Sequence, residues 1–166
     1  MSKSLSFPGL SEYVKQINSL SQNSLHICEA AVAKGAGIIA DTLKGEIEDL
    51  PTTATEFDAL VAFRKKEKTA LTPLQKEGLI ESMGLAKMQN NNGFVNTKLG
   101  FDGYNKLTTK KFPKGQPNAM IARSLESGSS VLDKNPFVRR AVNSSKKKAE
   151  KAIETELDKQ IKKLVK

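Results

Sequence analysis

Two apolar series at helical spacing, one toward each end of the chain, constrain the fold more than any other feature. Leu25, Cys28, Val32, Gly35, Ile39, Leu43 and Ile47 step by three or four residues, which lines them up on one face of an α-helix. Leu50-Pro51 stops that helix near residue 49, because the residue before a proline is driven out of the helical region. Phe137, Ala141, Ala149, Ile153, Leu157, Ile161 and Leu164 form the second series and predict a helix from Pro136 to Val165. Each stripe has to be covered. The two helices are therefore expected to pack on each other and on one face of a sheet supplied by the chain between them.

That intervening chain is punctuated by turn and cap signals. Upstream of it, Leu10, Tyr13, Val14, Ile17 and Leu20 behind Pro8-Gly9 read as a short first helix capped by Ser11, and Ser21–Ser24 (SQNS) interrupts it. Residues 51–71 contain a PTTAT turn, then FDALVAF, which fits either a strand or a helical turn, and a charged RKKEK loop. That loop reads as solvated surface or as a contact to a phosphate backbone. Thr72-Pro73-Leu74-Gln75 is a capping box with proline at the first helical position. The helix it starts has Leu74, Leu79, Ile80 and Met83 on its buried side and is expected to end at Gly84. Asn92-Gly93 is a strong hairpin signal between two extended runs, predicting a small antiparallel sheet that includes residues 85–103. A Lys/Thr-rich loop follows to Lys114. Asn118 is placed as the cap of a short helix closed by Gly128, and Asn135 as the cap of the last helix. Phe137, the single aromatic there, is expected to be a buried anchor.

The 166 residues suit one domain, 1–166, large enough to bury about two thirds of its unfolded surface. A hydrophobic content of 38% without tryptophan provides one modest core and argues against wholesale disorder. The fold class expected is α+β, with hairpin and loop arms. No apolar run reaches the ~18 residues of a membrane span, and the opening MSKSLSFPGL lacks a signal-peptide core, so the chain is expected to stay in the cytosol.

Little in the sequence can carry catalysis. One cysteine, Cys28, and one histidine, His26, exclude internal disulfides and cysteine-cluster metal sites. Two residues apart on a helix they point in different directions, so they make no nucleophile–base pair. Glu46 and Glu48 sit at a helix end, and Gly93, Gly100 and Gly103 are turn glycines without the strand–helix setting of a nucleotide loop. No enzymatic activity and no cofactor are expected. Gly35 and Gly37 lie in a helix segment rich in alanine. Such a slim surface fits close packing within the chain or the close approach of a neighbouring subunit.

Taken in order, LTPLQKEGLIESMGLAKMQ, NNGFVNTKLGFDGYN, KGQPNAMIARSLESGSS and KNPFVRRAVNSSKKKAEKAI resemble the neck, or head–tail joining, proteins of long-tailed phages and prophages of Gram-positive bacteria. These are relatives of the tenth gene product of a lambdoid coliphage and are also called minor tail or tail-completion proteins. The similarity spans Phe7 to Leu164. Its most specific parts are Ser127-Gly128-Ser129-Ser130 and Asn135-Pro136-Phe137-Val138-Arg139-Arg140-Ala141-Val142. The resemblance implies a structural virion protein made in the bacterial cytoplasm. It would form a ring, six-fold like the tail it meets, at the head–tail junction. Its partners would be the head-closure protein, the tail-terminator or tail-tube protein beside the tape-measure-filled tube, and DNA threading the lumen without sequence-specific binding.

Charge bears on which surfaces would meet those partners. Residues 1–50 carry four lysines and six acids, whereas residues 111–166 carry fourteen bases and six acids, so most of the net +9 lies in the last third. Arg139, Arg140, Lys146 and Lys147, on the first turns of the last helix, are the candidate interface toward DNA or an acidic neighbour, with plain solvent exposure as the alternative. A basic DNA-binding accessory protein without a ring is the other function this composition allows.

Overall fold

The computed structural model describes residues 10–165. Its elements are α1 (Leu10–Glu48), α2 (Glu56–Arg64), α3 (Pro73–Ser82), β1 (Met83–Leu85), β2 (Gln89–Asn91), β3 (Phe94–Asn96), β4 (Leu99–Phe101), α4 (Asn118–Ser127) and α5 (Phe137–Leu164). The fold is α+β, dominated by its two long helices. At 1.5 Å per residue, α1 is about 58 Å long and α5 about 42 Å.

The long helices run antiparallel along each other. The Arg140 side chain bonds Glu46 near one end, Gly35 faces Ile153 midway, and Gln16 reaches the carbonyl of Val165 at the other end. Buried positions recur at multiples of four residues along both helices: Ile27, Ala31, Gly35, Leu43 and Ile47 on α1, and Phe137, Ala141, Ser145 and Ala149 on α5.

 Small side chains on both faces, Ala31, Gly35, Ala141, Ser145 and Ala149, let the two backbones approach closely. Ser145 satisfies its buried hydroxyl by donating to the carbonyl of Ala141 one turn back.

The main core sits at the end of this helix pair where α1 stops. Leu43, Ile47 and Leu50 meet Leu71, Leu79, Ile121, Leu125, Leu132, Phe137 and Ala141. At about 1.5–3 kcal/mol for each large apolar side chain fully buried, this cluster is the principal stabilising mass of the molecule. Phe137 is 0% exposed and its ring lies 6.0 Å from that of Phe101 at 54°, a tilted aromatic pair. Beneath the cluster, single bridges Thr52–Leu71 and Thr69–Leu132 tie three connecting segments together. The segment Ser129–Leu132 is held by the Ser129 hydroxyl, which accepts from the amides of Val131 and Leu132.

The strands form one hairpin arm in two ladders. β1 pairs with β4, Met83 opposite Phe101, and β2 pairs with β3, Asn91 opposite Phe94. The register advances by one residue between the ladders, so the arm carries a bulge between them. Asn92 and Gly93 turn its tip with φ of 53° and 87°, the backbone that makes Asn-Gly the favoured pair there.

Several sequence expectations are corrected. The SQNS segment does not break the first helix: α1 is continuous from Leu10, with Asn23 and Ser24 bonding back to the carbonyls of Ser19 and Ser21. The Ser11 cap falls on a side chain outside the described residues. The seam upstream uses Ile27 and Ala31, while Leu25 is exposed and Cys28 half-buried. FDALVAF is helical, started by a Thr55/Asp58 capping box. Met83 leaves α3 directly into β1, so Gly84 lies in a strand and closes no helix. Asn118 caps nothing; it is buried and donates its amide to the carbonyl of Asp102. Asn135 is likewise no cap, its side-chain oxygen accepting from Arg140. The amides of Val138 and Arg139 are met by the Glu126 carboxylate of α4 at 2.9 and 3.2 Å.

Candidate functional site

The sequence-selected basic residues are exposed on one side of α5, with Arg140 at the edge of the seam. Arg139 and Lys146, seven residues apart, align along the helix, and Arg140 and Lys147 form the adjacent row. Their availability differs. Arg140 donates to Glu46 at 2.8 Å and to Asn135 at 2.7 Å, so its charge is spent joining α5 to α1. Lys146 lies 3.9 Å from Glu150, a loose exposed pair of small energetic weight. Arg139 and Lys147 are exposed and enter no ion pair among the described residues. Reversing Arg140 would set two carboxylates side by side, whereas Arg139 and Lys147 can be changed without touching the helix seam. Further along α5, Glu156 is held below the usual carboxylate range, first by the Gln160 amide and then by Lys159.

A second surface is apolar. α2 buries none of its residues, and Phe57, Leu60 and Phe63, spaced by three, stand open to solvent, the two rings at 66% and 60% exposure. The reason is local: the capping box fixes where α2 starts, and its inner side, Ala59, Val61 and Ala62, is only half covered. Tyr13, Val14 and Ile17 make another exposed stripe in the first turns of α1. About 45 Å of helix separates Ile17 from the end of α1, where the chain turns toward α2. The same chain therefore cannot cover one stripe with the other. The hairpin arm adds Phe94 at its tip, 72% exposed. Sequence reading missed the α2 surface because its spacing was compatible with a strand; the Thr55-x-x-Asp58 box was the signal that could have decided it.

A third surface is the loop from Asp102 to Asn118. Asn105, 3% exposed, closes its base: its amide donates to the Gln116 carbonyl, and its side-chain oxygen accepts from the amides of Leu107 and Gln116. Gly115 has φ of 95°, and a Cβ there would stand 1.9 Å from the Asn105 carbonyl oxygen, so only glycine fits. Gln75, the capping-box residue of α3, also donates to the Gln116 side chain at 2.7 Å. Lys106 donates to Glu77 at 2.7 Å and lies 3.5 Å from Glu81. The hydrogen bond to Glu77, with the charge of both glutamates, holds the Lys106 ammonium above the ordinary lysine range.

Neither Cys28 nor His26 belongs to any of these surfaces, and the described residues contain no group of three or more His, Cys, Asp or Glu side chains placed to hold a metal. No helix among them is long and apolar enough to cross a membrane. Compared with protein-family models, curated proteins and solved structures, the chain finds no match.

Proposed function

We propose that this chain is a structural subunit of the head–tail joint of a long-tailed bacteriophage or prophage, assembling as a ring that joins or completes the tail. The observation that carries the reading is the pair of uncovered apolar stripes, Phe57-Leu60-Phe63 on α2 and Tyr13-Val14-Ile17 on α1, at well-separated places on an elongated molecule. Apolar side chains left open in this way mark interaction sites. Two different patches on one subunit suit a heterologous contact, the kind that closes into rings. The motif resemblance over Ser127–Ser130 and Asn135–Val142 supports that place in the virion, and the hairpin, which lies along α1, leaves Phe94 open at its tip for a neighbour. The expected partners are other copies of the chain, the head-closure protein on one side and the tail-terminator or tail-tube protein on the other.

Light scattering on size-exclusion fractions, with electron microscopy of the largest species, tests this. The expected result is concentration-dependent closed rings. Phe57→Glu with Phe63→Glu should abolish them while circular dichroism stays unchanged, because α2 buries neither ring. A monomer at every concentration, binding duplex DNA with steep salt dependence, would favour the DNA-binding accessory protein instead.

A further inference from the structure

We infer that the loop between Asp102 and Asn118 is a braced basic finger that binds the phosphate backbone of duplex DNA through Lys110, Lys111 and Lys114. The inference rests on the loop itself and stands whether or not the chain forms a ring.

Charge is the first observation. No acidic residue occurs between Asp102 and Glu126, a stretch that holds four lysines and one arginine. Of those lysines, Lys106 is consumed in pairing with Glu77 and Glu81 of α3. Lys110, Lys111 and Lys114 are exposed and form no ion pair among the described residues. The finger is thus fastened to the acidic side of α3 by one lysine and presents the other three outward.

Presentation is the second. Thr109 and Phe112 exchange backbone hydrogen bonds of 3.1 and 3.0 Å, and the Thr109 hydroxyl accepts from the Phe112 amide. Lys110 and Lys111 are the two residues inside that turn, so they occupy the tip. Phe112 is half-buried with the Lys111 ammonium 5.6 Å from its ring centre, and the ring is not free as a stacking platform. At the base, Asn105, Gly115 and Gln116 lock the two sides of the loop together. A loop already ordered loses less conformational freedom when it engages a ligand.

Duplex DNA fits this better than the other polyanions. The tip offers ammonium groups and threonine hydroxyls, which contact phosphates without reading bases. The tip itself has no open apolar anchor of the kind that an acidic protein partner would require at the centre of an interface; the exposed Tyr104 stands at the base of the loop, bridged to Pro117. The RKKEK run after α2 is a weaker candidate, since it contains Glu67 and its lysines lie where they offset the negative end of the α2 dipole.

The test is fluorescence anisotropy of a labelled duplex at several salt concentrations with the full chain. Each phosphate neutralised adds about 0.9 to the slope of log affinity against log salt. Lys110→Ala/Lys111→Ala/Lys114→Ala should therefore lower the slope by about 2 to 3 and weaken binding about tenfold or more at low salt. Arg64→Ala/Lys65→Ala/Lys66→Ala and Lys146→Ala/Lys147→Ala/Lys148→Ala remove the same charge elsewhere and should change both quantities far less. Gly115→Ala keeps every charge but displaces the base of the finger, and it too should weaken binding. Equal losses from all three triple variants would mean diffuse charge and overturn the assignment. So would undiminished binding by Gly115→Ala, absence of duplex binding by the unmodified chain, or equally tight binding of polyglutamate. Preference for a single strand, abolished by Tyr104→Ala, would overturn the duplex assignment in favour of base stacking.

Discussion

Replacing Gly35 with alanine should destabilise the protein although alanine is the better helix former. In an unobstructed helix the change is worth about 0.5–1 kcal/mol in favour of alanine. Gly35, however, is buried in the α1–α5 seam, and a Cβ there would stand 2.6 and 2.7 Å from Cγ1 and Cδ1 of Ile153 and 3.3 Å from the Ala149 carbonyl oxygen. Cδ1 could swing aside, but Cγ1 is fixed by χ1, which is strongly restricted for isoleucine in a helix. Overpacking of this kind costs about 1–3 kcal/mol, so the net effect should be a loss of about 1 kcal/mol. Gly37, two residues on, has nothing within 4 Å of its Cβ position, and Gly37→Ala should gain about 0.5–1 kcal/mol. Urea denaturation followed by circular dichroism, at fixed protein concentration, measures both. Combining Gly35→Ala with Ile153→Ala should be less damaging than the separate losses added together, with a coupling of about 0.5–3 kcal/mol. If Gly35→Ala stabilises as much as Gly37→Ala, the close seam contact is not what fixes the glycine. A Gly37→Ala chain that is more stable but no longer assembles would instead place Gly37 against a neighbouring subunit.

Phe137→Ala should cost about 3–5 kcal/mol, since the ring is fully buried against Phe101; an unchanged melting temperature would refute its place in the core. Glu126→Ala removes the carboxylate that meets the amides of Val138 and Arg139. It should cost about 1–2 kcal/mol, with faster hydrogen exchange confined to the first turn of α5. Because the Lys106 pKa is raised, its pairing contributes below the ordinary lysine range and is lost as pH rises through the higher folded value. An NMR titration should find Lys106 deprotonating above the ordinary lysine range, and Glu77→Gln/Glu81→Gln should lower its pKa. If the chain joins heads to tails as proposed, charge reversal of Arg139 and Lys147 should leave folding intact while heads and tails fail to join; normal infectious particles would exclude that face of α5 from the joint.

The sequence by itself determined the elements whose signals are local. Helical period placed α5 and the part of α1 from Leu25 onward, Thr72, Pro73 and Gln75 began α3 as read, Asn92-Gly93 turned the hairpin, and Gly128 closed α4, because each depends on neighbours within a few residues. Tertiary structure decided what required distant partners. The carboxylate serving the start of α5 comes from α4, which no local reading of Asn135-Pro136 could supply. Arg140 and Arg139 are adjacent and chemically alike, yet only Arg140 is taken up by Glu46, ninety-four residues away. Which lysines of the 102–118 loop stay free was likewise set by Glu77 and Glu81 on α3. The glycines divide in the same way: composition marked Gly35 and Gly37 as slim positions, but only the approach of Ile153 distinguishes one from the other. Periodicity encodes that a face must be covered, while the covering group and the charges it neutralises depend on how the whole chain closes on itself.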